Sequence, residues 1–211
     1  EDILTNQNYI SKGIVLDKLI ESLIVSKINY RDLVTGDKNA LLIASRVLGY
    51  GKDYTFRSFN SSTSQMEDFT IDLTTLEDKL LDSNDLKENG VNEFEFQLPH
   101  SKTTITYKLL THGDEKDIER EIKGLQKINK EASPESSTRL KYLITSVDDD
   151  REKKTIREFV DTYLLARDSR SLREEIKRIA PDVNLIYTGE DDEEDIVIPI
   201  NLNFFWPDAR I

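Results

Sequence analysis

After Gly51 the spacing of apolar residues drops from a helical period to a period of two, and the same pattern recurs twice more before the chain ends. Tyr54 and Phe56 alternate with Thr55 and Arg57, and Phe69, Ile71 and Leu73 alternate with Thr70 and Asp72. Between them lies the turn chemistry of Asn60-Ser61-Ser62-Thr63-Ser64-Gln65. Phe94, Phe96 and Leu98 are answered by Ile105, Tyr107 and Leu109 across Pro99-His100-Ser101-Lys102. Leu185 and Tyr187 are answered by Ile196 to Ile200 across the tip Gly189 to Asp195. Three such pairs, set among helical segments, specify three β-hairpins in an α+β fold.

The rest of the chain is helical in period. Ile10 to Val25 places Leu16, Leu19, Ile20, Leu23 and Ile24 on a face opposite Asp17, Lys18 and Glu21, with Ser11 as the expected N-cap. A second helix is expected from near Asp37 through Ala40, Leu41, Ile43, Ala44, Val47 and Leu48, stopped at Gly49. It is nearly apolar all round and reads as the buried central helix. Asp114 to Lys130 is helical and strongly charged, with Ile118, Ile122, Leu125 and Ile128 in a narrow stripe broken at Ser133-Pro134. Arg139 to Val147 fits a short helix and a buried strand equally well. Glu152 to Leu165 and Ser169 to Ala180 complete the helices, the second capped by Asp168 or Ser169 and closed by Pro181. The expectation is a helical core of five to six helices with three hairpins. It divides into a helical part at 1–52, a hairpin insertion at 53–112, a helical part at 113–183 and a hairpin with aromatic tail at 184–211, packed as one interlocked unit.

Composition narrows the chemistry. The 211 residues suffice for a core without covalent staples. Forty-one Asp and Glu against 29 Lys and Arg give a net charge of −12, which disfavours a binder of nucleic acid or of anionic membrane. Cysteine is absent, and with it disulfides, thiolate catalysis and every cysteine-based zinc site. His100 and His112 are the only histidines, too few for a multi-histidine metal site. Gly49-Tyr50-Gly51-Lys52 lacks the remaining residues of a phosphate loop and lies at a helix end. A carboxylate pair for hydrolysis cannot be told from background among so many acids. No apolar run reaches the ~20 residues of a membrane span. The chain opens on Glu1, so further N-terminal sequence is expected before it. The reading is a non-enzymatic protein with no cofactor and no metal.

Three features remain as candidate surfaces. Phe204, Phe205 and Trp206 stand within eight residues of the end, followed by Pro207 and Asp208. They either plug the protein's own core or anchor a partner, as aromatic residues commonly do. Arg167, Arg170, Arg173, Lys177 and Arg178 give one helix a basic face, for pairing within the chain first, an acidic partner second and phosphate third. Glu190 to Asp195 places six carboxylates in six positions, the pattern of a solvated tip, with contact to a basic partner surface as the alternative.

Leu33-Val34-Thr35-Gly36-Asp37-Lys38-Asn39-Ala40-Leu41-Leu42-Ile43 through Gly49-Tyr50-Gly51, Ala166-Arg167-Asp168-Ser169-Arg170-Ser171-Leu172-Arg173 and Phe204-Phe205-Trp206-Pro207-Asp208 together resemble the T4-type bacteriophage baseplate hub protein family of contractile-tailed phages and prophages. The resemblance covers nearly the whole chain, and the combination of segments is more specific than any one. It implies a tail protein acting at the baseplate hub, in the host cytoplasm during assembly and, if retained, in the virion baseplate. Hub and tape-measure proteins are the implied partners, met by Phe204, Phe205, Trp206, Pro207 and Asp208 and by Arg167, Arg170 and Arg173. An assembly chaperone absent from the finished particle and a hub-associated hydrolase are the alternatives. Many members of the family carry Cys-x-x-Cys pairs at two hairpin tips. The matching tips here, Asn60 to Gln65 and Gly189 to Asp195, have none, which implies metal-free tips held by cross-strand pairs of Tyr54, Phe56, Phe69 and Ile71.

Overall fold

The structure is a computed structural model that describes residues 2–11, 13–61, 63–88, 90–128, 134–188 and 195–205. Along the chain run helices α1 (Gln7–Ser11), α2 (Val15–Leu23) and α3 (Thr35–Tyr50), then strands β1 (Asp53–Asn60), β2 (Gln65–Asp72), β3 (Asp78–Lys79), β4 (Phe94–Gln97) and β5 (Thr104–Tyr107). Helices α4 (His112–Ile128) and α5 (Glu135–Leu143) follow, then β6 (Ile144–Val147), α6 (Lys153–Glu158) and α7 (Ala166–Ile179). The last elements are β7 (Asp182–Val183), β8 (Ile186–Tyr187), β9 (Ile196–Val197) and α8 (Leu202–Phe205). The fold is α+β, as the alternation of periods requires. Contacts gather the chain into two compact units, one from 1–30, 36–79 and 182–211, the other from 31–35 and 80–181. The hairpin segment read as one insertion at 53–112 is thus shared, its first hairpin in the first unit and its second in the second.

In the first unit, β1 and β2 form the expected hairpin, paired antiparallel from Asp53↔Asp72 to Asn60↔Gln65. Tyr54 and Phe56 turn inward, while the Thr55 and Thr70 hydroxyls meet at 2.8 Å on the outer face. On the inner face Phe56 stacks on its ladder partner Phe69 at 5.9 Å and on Tyr54 at 5.6 Å. Tyr187, on β8, closes edge-on over Phe56. The β8–β9 hairpin forms in the expected place, with Ile186 opposite Val197; 189–194, most of its acidic tip, lies outside the described residues.

The segment Ile10 to Val25 is two helices, because Gly13 adopts φ +66° between them. Ser11 ends α1 instead of capping a helix; its Oγ donates to the Asn8 carbonyl at 3.1 Å. Asn6 performs the cap, its Oδ1 accepting the N–H groups of Asn8 at 3.0 Å and Tyr9 at 3.3 Å. Helix α3 runs two residues past the expected stop: Gly51, at φ +87°, is the left-handed residue, and its N–H reaches the Val47 carbonyl at 3.0 Å. Nor is α3 buried all round. Leu42, Ile43 and Arg46 face inward, whereas Leu48 is 88% exposed. The inward Arg46 guanidinium donates to the Gly51 and Asp53 carbonyls and lies over the rings of Tyr50 and Tyr54.

In the second unit, β4, β5 and β6 form an antiparallel sheet in that order. Arg139 to Val147 is both things its pattern allowed: α5 ends at Leu143 and β6 starts at Ile144 with no intervening loop. Helices α4 to α7 supply the remaining core, in which Phe94, Leu98, Ile105, Tyr107, Ile144, Ile156, Leu172 and Ile179 are buried. The expected stripe of α4 is buried only at its start, Ile118 being inside and Ile128 86% exposed. Glu152 to Leu165 forms α6 followed by a π-helical turn over Phe159–Tyr163. The 31–35 segment joins this unit through a bridge between Val34 and Thr111 and the His112 N–H on the Leu33 carbonyl at 2.8 Å.

Candidate functional site

Helix α7 carries the basic face read from the sequence. It begins at Ala166 with Leu165 at the N-cap position and no side-chain cap. Leu172 and Ile179 anchor its inner side, which leaves Arg167, Arg170 and Arg173 exposed outside. Arg170 donates to Glu174 at 2.9 Å in an exposed i,i+4 pair, worth only a few tenths of a kcal/mol. Arg173 donates to the Ser169 hydroxyl at 3.1 Å. Arg167 has no ion pair or side-chain hydrogen bond among the described residues. Arg178, by contrast, is committed: it donates to Asp85 at 2.9 Å and to Glu175 at 2.7 Å, and these carboxylates hold its guanidinium well above the ordinary arginine range. Tyr163 and Leu165, immediately before α7, are also exposed.

Asp168 does not cap α7. It lies in the first turn, fully buried, and its two oxygens accept the N–H groups of His100 at 2.8 Å and Ser101 at 2.9 Å. These belong to the turn between β4 and β5, where Lys102 takes φ +63° and its N–H closes on the Leu98 carbonyl. Burial pushes the Asp168 carboxyl up, but the backbone donors of His100 and Ser101, with the Ser101 side chain, hold it below the usual carboxylate range. Asp168 therefore fixes where α7 sits in its unit and with it the arginine face.

The aromatic end divides. Phe204 and Phe205 are 0% and 2% exposed in the core of the first unit. Phe204 meets Tyr54 edge-on at 4.7 Å and Phe205 at 5.2 Å. This is the own-core placement of the two readings, and neither ring is presented to a partner. Trp206, Pro207 and Asp208 lie outside the described residues.

Two grooves mark the surfaces of the units. In the first unit an open apolar groove of about 460 Å³ runs along α3, lined by Ala40, Ala44, Val47 and Leu48 against Leu73 and Leu76. Reading α3 as buried all round hid it; the signal was there, because Ala40, Ala44 and Leu48 recur at i, i+4 and i+8 on one stripe. In the second unit a groove of about 420 Å³ is lined by Lys108, Lys141, Arg151, Lys153 and Arg157. Most of these cations are spent: Lys108 pairs with Asp114 and Lys141 with Asp161, both at 2.7 Å, while Arg151 and Arg157 grip Glu93 and Glu121 with two bonds each. The arginines hold Glu93 and Glu121 below the usual carboxylate range.

His112 is buried at the start of α4 and His100 sits exposed in its turn, in separate surroundings. Among the described residues no group of three or more His, Asp or Glu is arranged to hold a metal ion, and no helix is long and apolar enough to cross a membrane. No protein-family model, curated protein or solved structure matches the chain.

Proposed function

We propose that this chain is a non-enzymatic protein-binding component of the phage tail baseplate hub, either built into the hub or assisting its construction, with hub and tape-measure proteins as its partners. The hub assignment rests on the sequence resemblance. The binding mode rests on one observation: in a chain of net charge −12, Arg167, Arg170 and Arg173 stand exposed on α7 with almost no carboxylate of their own. Arginine offers a planar fork of donors that grips carboxylates in two places, and it recurs with tyrosine among residues that dominate interfaces. Exposed Tyr163 and Leu165 supply the apolar part of such a contact. An acidic partner face is steered towards this surface and held in register by it.

Reversing all three arginines to Glu tests the binding mode. Wild-type chain should co-purify hub and tape-measure proteins identified by mass spectrometry, and the triple variant, with an unchanged circular dichroism spectrum, should lose them. Undiminished capture of those proteins by the folded variant refutes the mode. Mass spectrometry of purified virions against immature tails then separates a structural subunit from an assembly chaperone.

A further inference from the structure

The groove along α3 belongs to the other unit and has a different chemistry. Its stripe from Ala40 to Leu48 spans about 12 Å at 1.5 Å per residue, the length of two helical turns. Ala40 and Ala44 make a low floor, Leu48 stands 88% exposed at one end, and Leu73 and Leu76 form the opposite wall. Scattered exposed leucines are ordinary surface, but a continuous apolar trough of this size marks a contact site.

Its far end is acidic. Asp78 lines the groove there. Asp182, across the β3–β7 ladder from Lys79, accepts the Asn39 amide at 2.9 Å, one residue from Ala40. Asp37 is exposed one turn before Ala40 on the same stripe and has no ion pair or side-chain hydrogen bond among the described residues. Lys79 is the one cation of that ladder, and the nearby Lys38 is committed to Asp17 at 3.3 Å. Carboxylates therefore outnumber cations at this end, while beside Leu73 the Lys52–Asp72 pair is balanced in charge.

From this polarity we infer that the groove docks a short amphipathic helix of a partner protein. That helix is about two turns long, places apolar side chains at i, i+3 or i+4, and i+7 along the α3 stripe, and carries Lys or Arg at the end that meets Asp37 and Asp78. Apolar anchors laid into a groove supply the affinity, and the charged end sets the direction in which the helix lies.

A display library of randomised helical peptides, selected on the full chain, tests this without assuming a partner. Two variants serve as controls. Ala44→Gln with Leu48→Gln replaces exposed residues by good helix formers, so thermal melting stays within about 2 °C of wild type. Asp37→Asn with Asp78→Asn neutralises the acidic end. Selected peptides should share the apolar spacing and a basic terminus, lose at least tenfold in affinity on the first variant, and lose severalfold on the second. The inference is overturned if no peptide is enriched, if binding ignores the Gln variant, or if the enriched peptides are acidic or indifferent to Asp37 and Asp78. A wild-type dimer in sedimentation that the Gln variant dissolves assigns the groove to a second copy and also overturns it.

Discussion

Replacing Asp168 measures how firmly the second unit holds its arginine face. The carboxylate is fully buried and serves two backbone donors, at 2.8 and 2.9 Å. A hydrogen bond to a charged group contributes about 1.5–3 kcal/mol, so the two bonds amount to about 3–6 kcal/mol gross. The exposed turn lets water reach His100 and Ser101 once the carboxylate is gone, and the variant no longer desolvates a charge. Both effects bring the expected cost of Asp168→Ala to about 2–4 kcal/mol. Asp168→Asn should cost about the same, since an amide offers one oxygen and turns its NH₂ against the second N–H. Urea unfolding followed by circular dichroism at pH 7 reads the stability, and hydrogen exchange at the His100 and Ser101 amides reads the local consequence. Because the folded carboxyl titrates below its ordinary value, its contribution is complete above about pH 4 and disappears as the pH falls through the folded value. The gap between wild type and Asp168→Ala should therefore narrow in acid. A cost below about 1 kcal/mol, a harmless Asn, or a gap unchanged down to pH 3 would refute the clamp.

Phe204→Ala removes a ring with no exposed surface that touches Tyr54 and Phe205, and should cost about 3–5 kcal/mol in thermal unfolding; a near-neutral result would mean the aromatic end is not seated in the core. Thr138→Val should stabilise by about 1 kcal/mol, an unusual sign, because the buried Thr138 hydroxyl has no hydrogen-bond partner among the described residues; destabilisation in the same melt contradicts this. Gly113→Ala should destabilise by about 1 kcal/mol despite alanine's helix propensity. Its Cβ would come within 3.1 Å of the Arg31 carbonyl, in a segment pinned by the Val34–Thr111 bridge, and a raised melting temperature would show that this segment yields.

The hairpins were legible because their evidence is local. Tyr54, Phe56, Phe69 and Ile71 announce both strands within 20 residues. The arginine face was legible for the same reason, since Arg167, Arg170 and Arg173 recur every three residues. What stayed hidden depends on which distant segment covers a surface. The spacing of Ala40, Ala44 and Leu48 marks an apolar stripe, but whether another segment covers it, and that Arg46 is taken inside, is set by distant residues. Asp168 looks like a helix cap until the turn at His100, 68 positions earlier, is brought against it. Phe204 and Phe205 could serve a core or a partner equally well, and Tyr54, the neighbour of Phe204, lies 150 residues earlier. Gly13 shows a smaller failure: one glycine in a good amphipathic run sufficed to divide a helix.

The first unit is written in three separated stretches of chain, and 80–181 are translated before the last of them exists. At 5–20 residues per second the interval is on the order of ten seconds. Throughout it the nascent hairpin shows its aromatic side without the lid that Tyr187 and Phe204 later provide, and by its end the second unit has all of its sequence. Maturation of this polypeptide is thus ordered by the ribosome, and the half completed last is the half most exposed to aggregation or to capture by a chaperone.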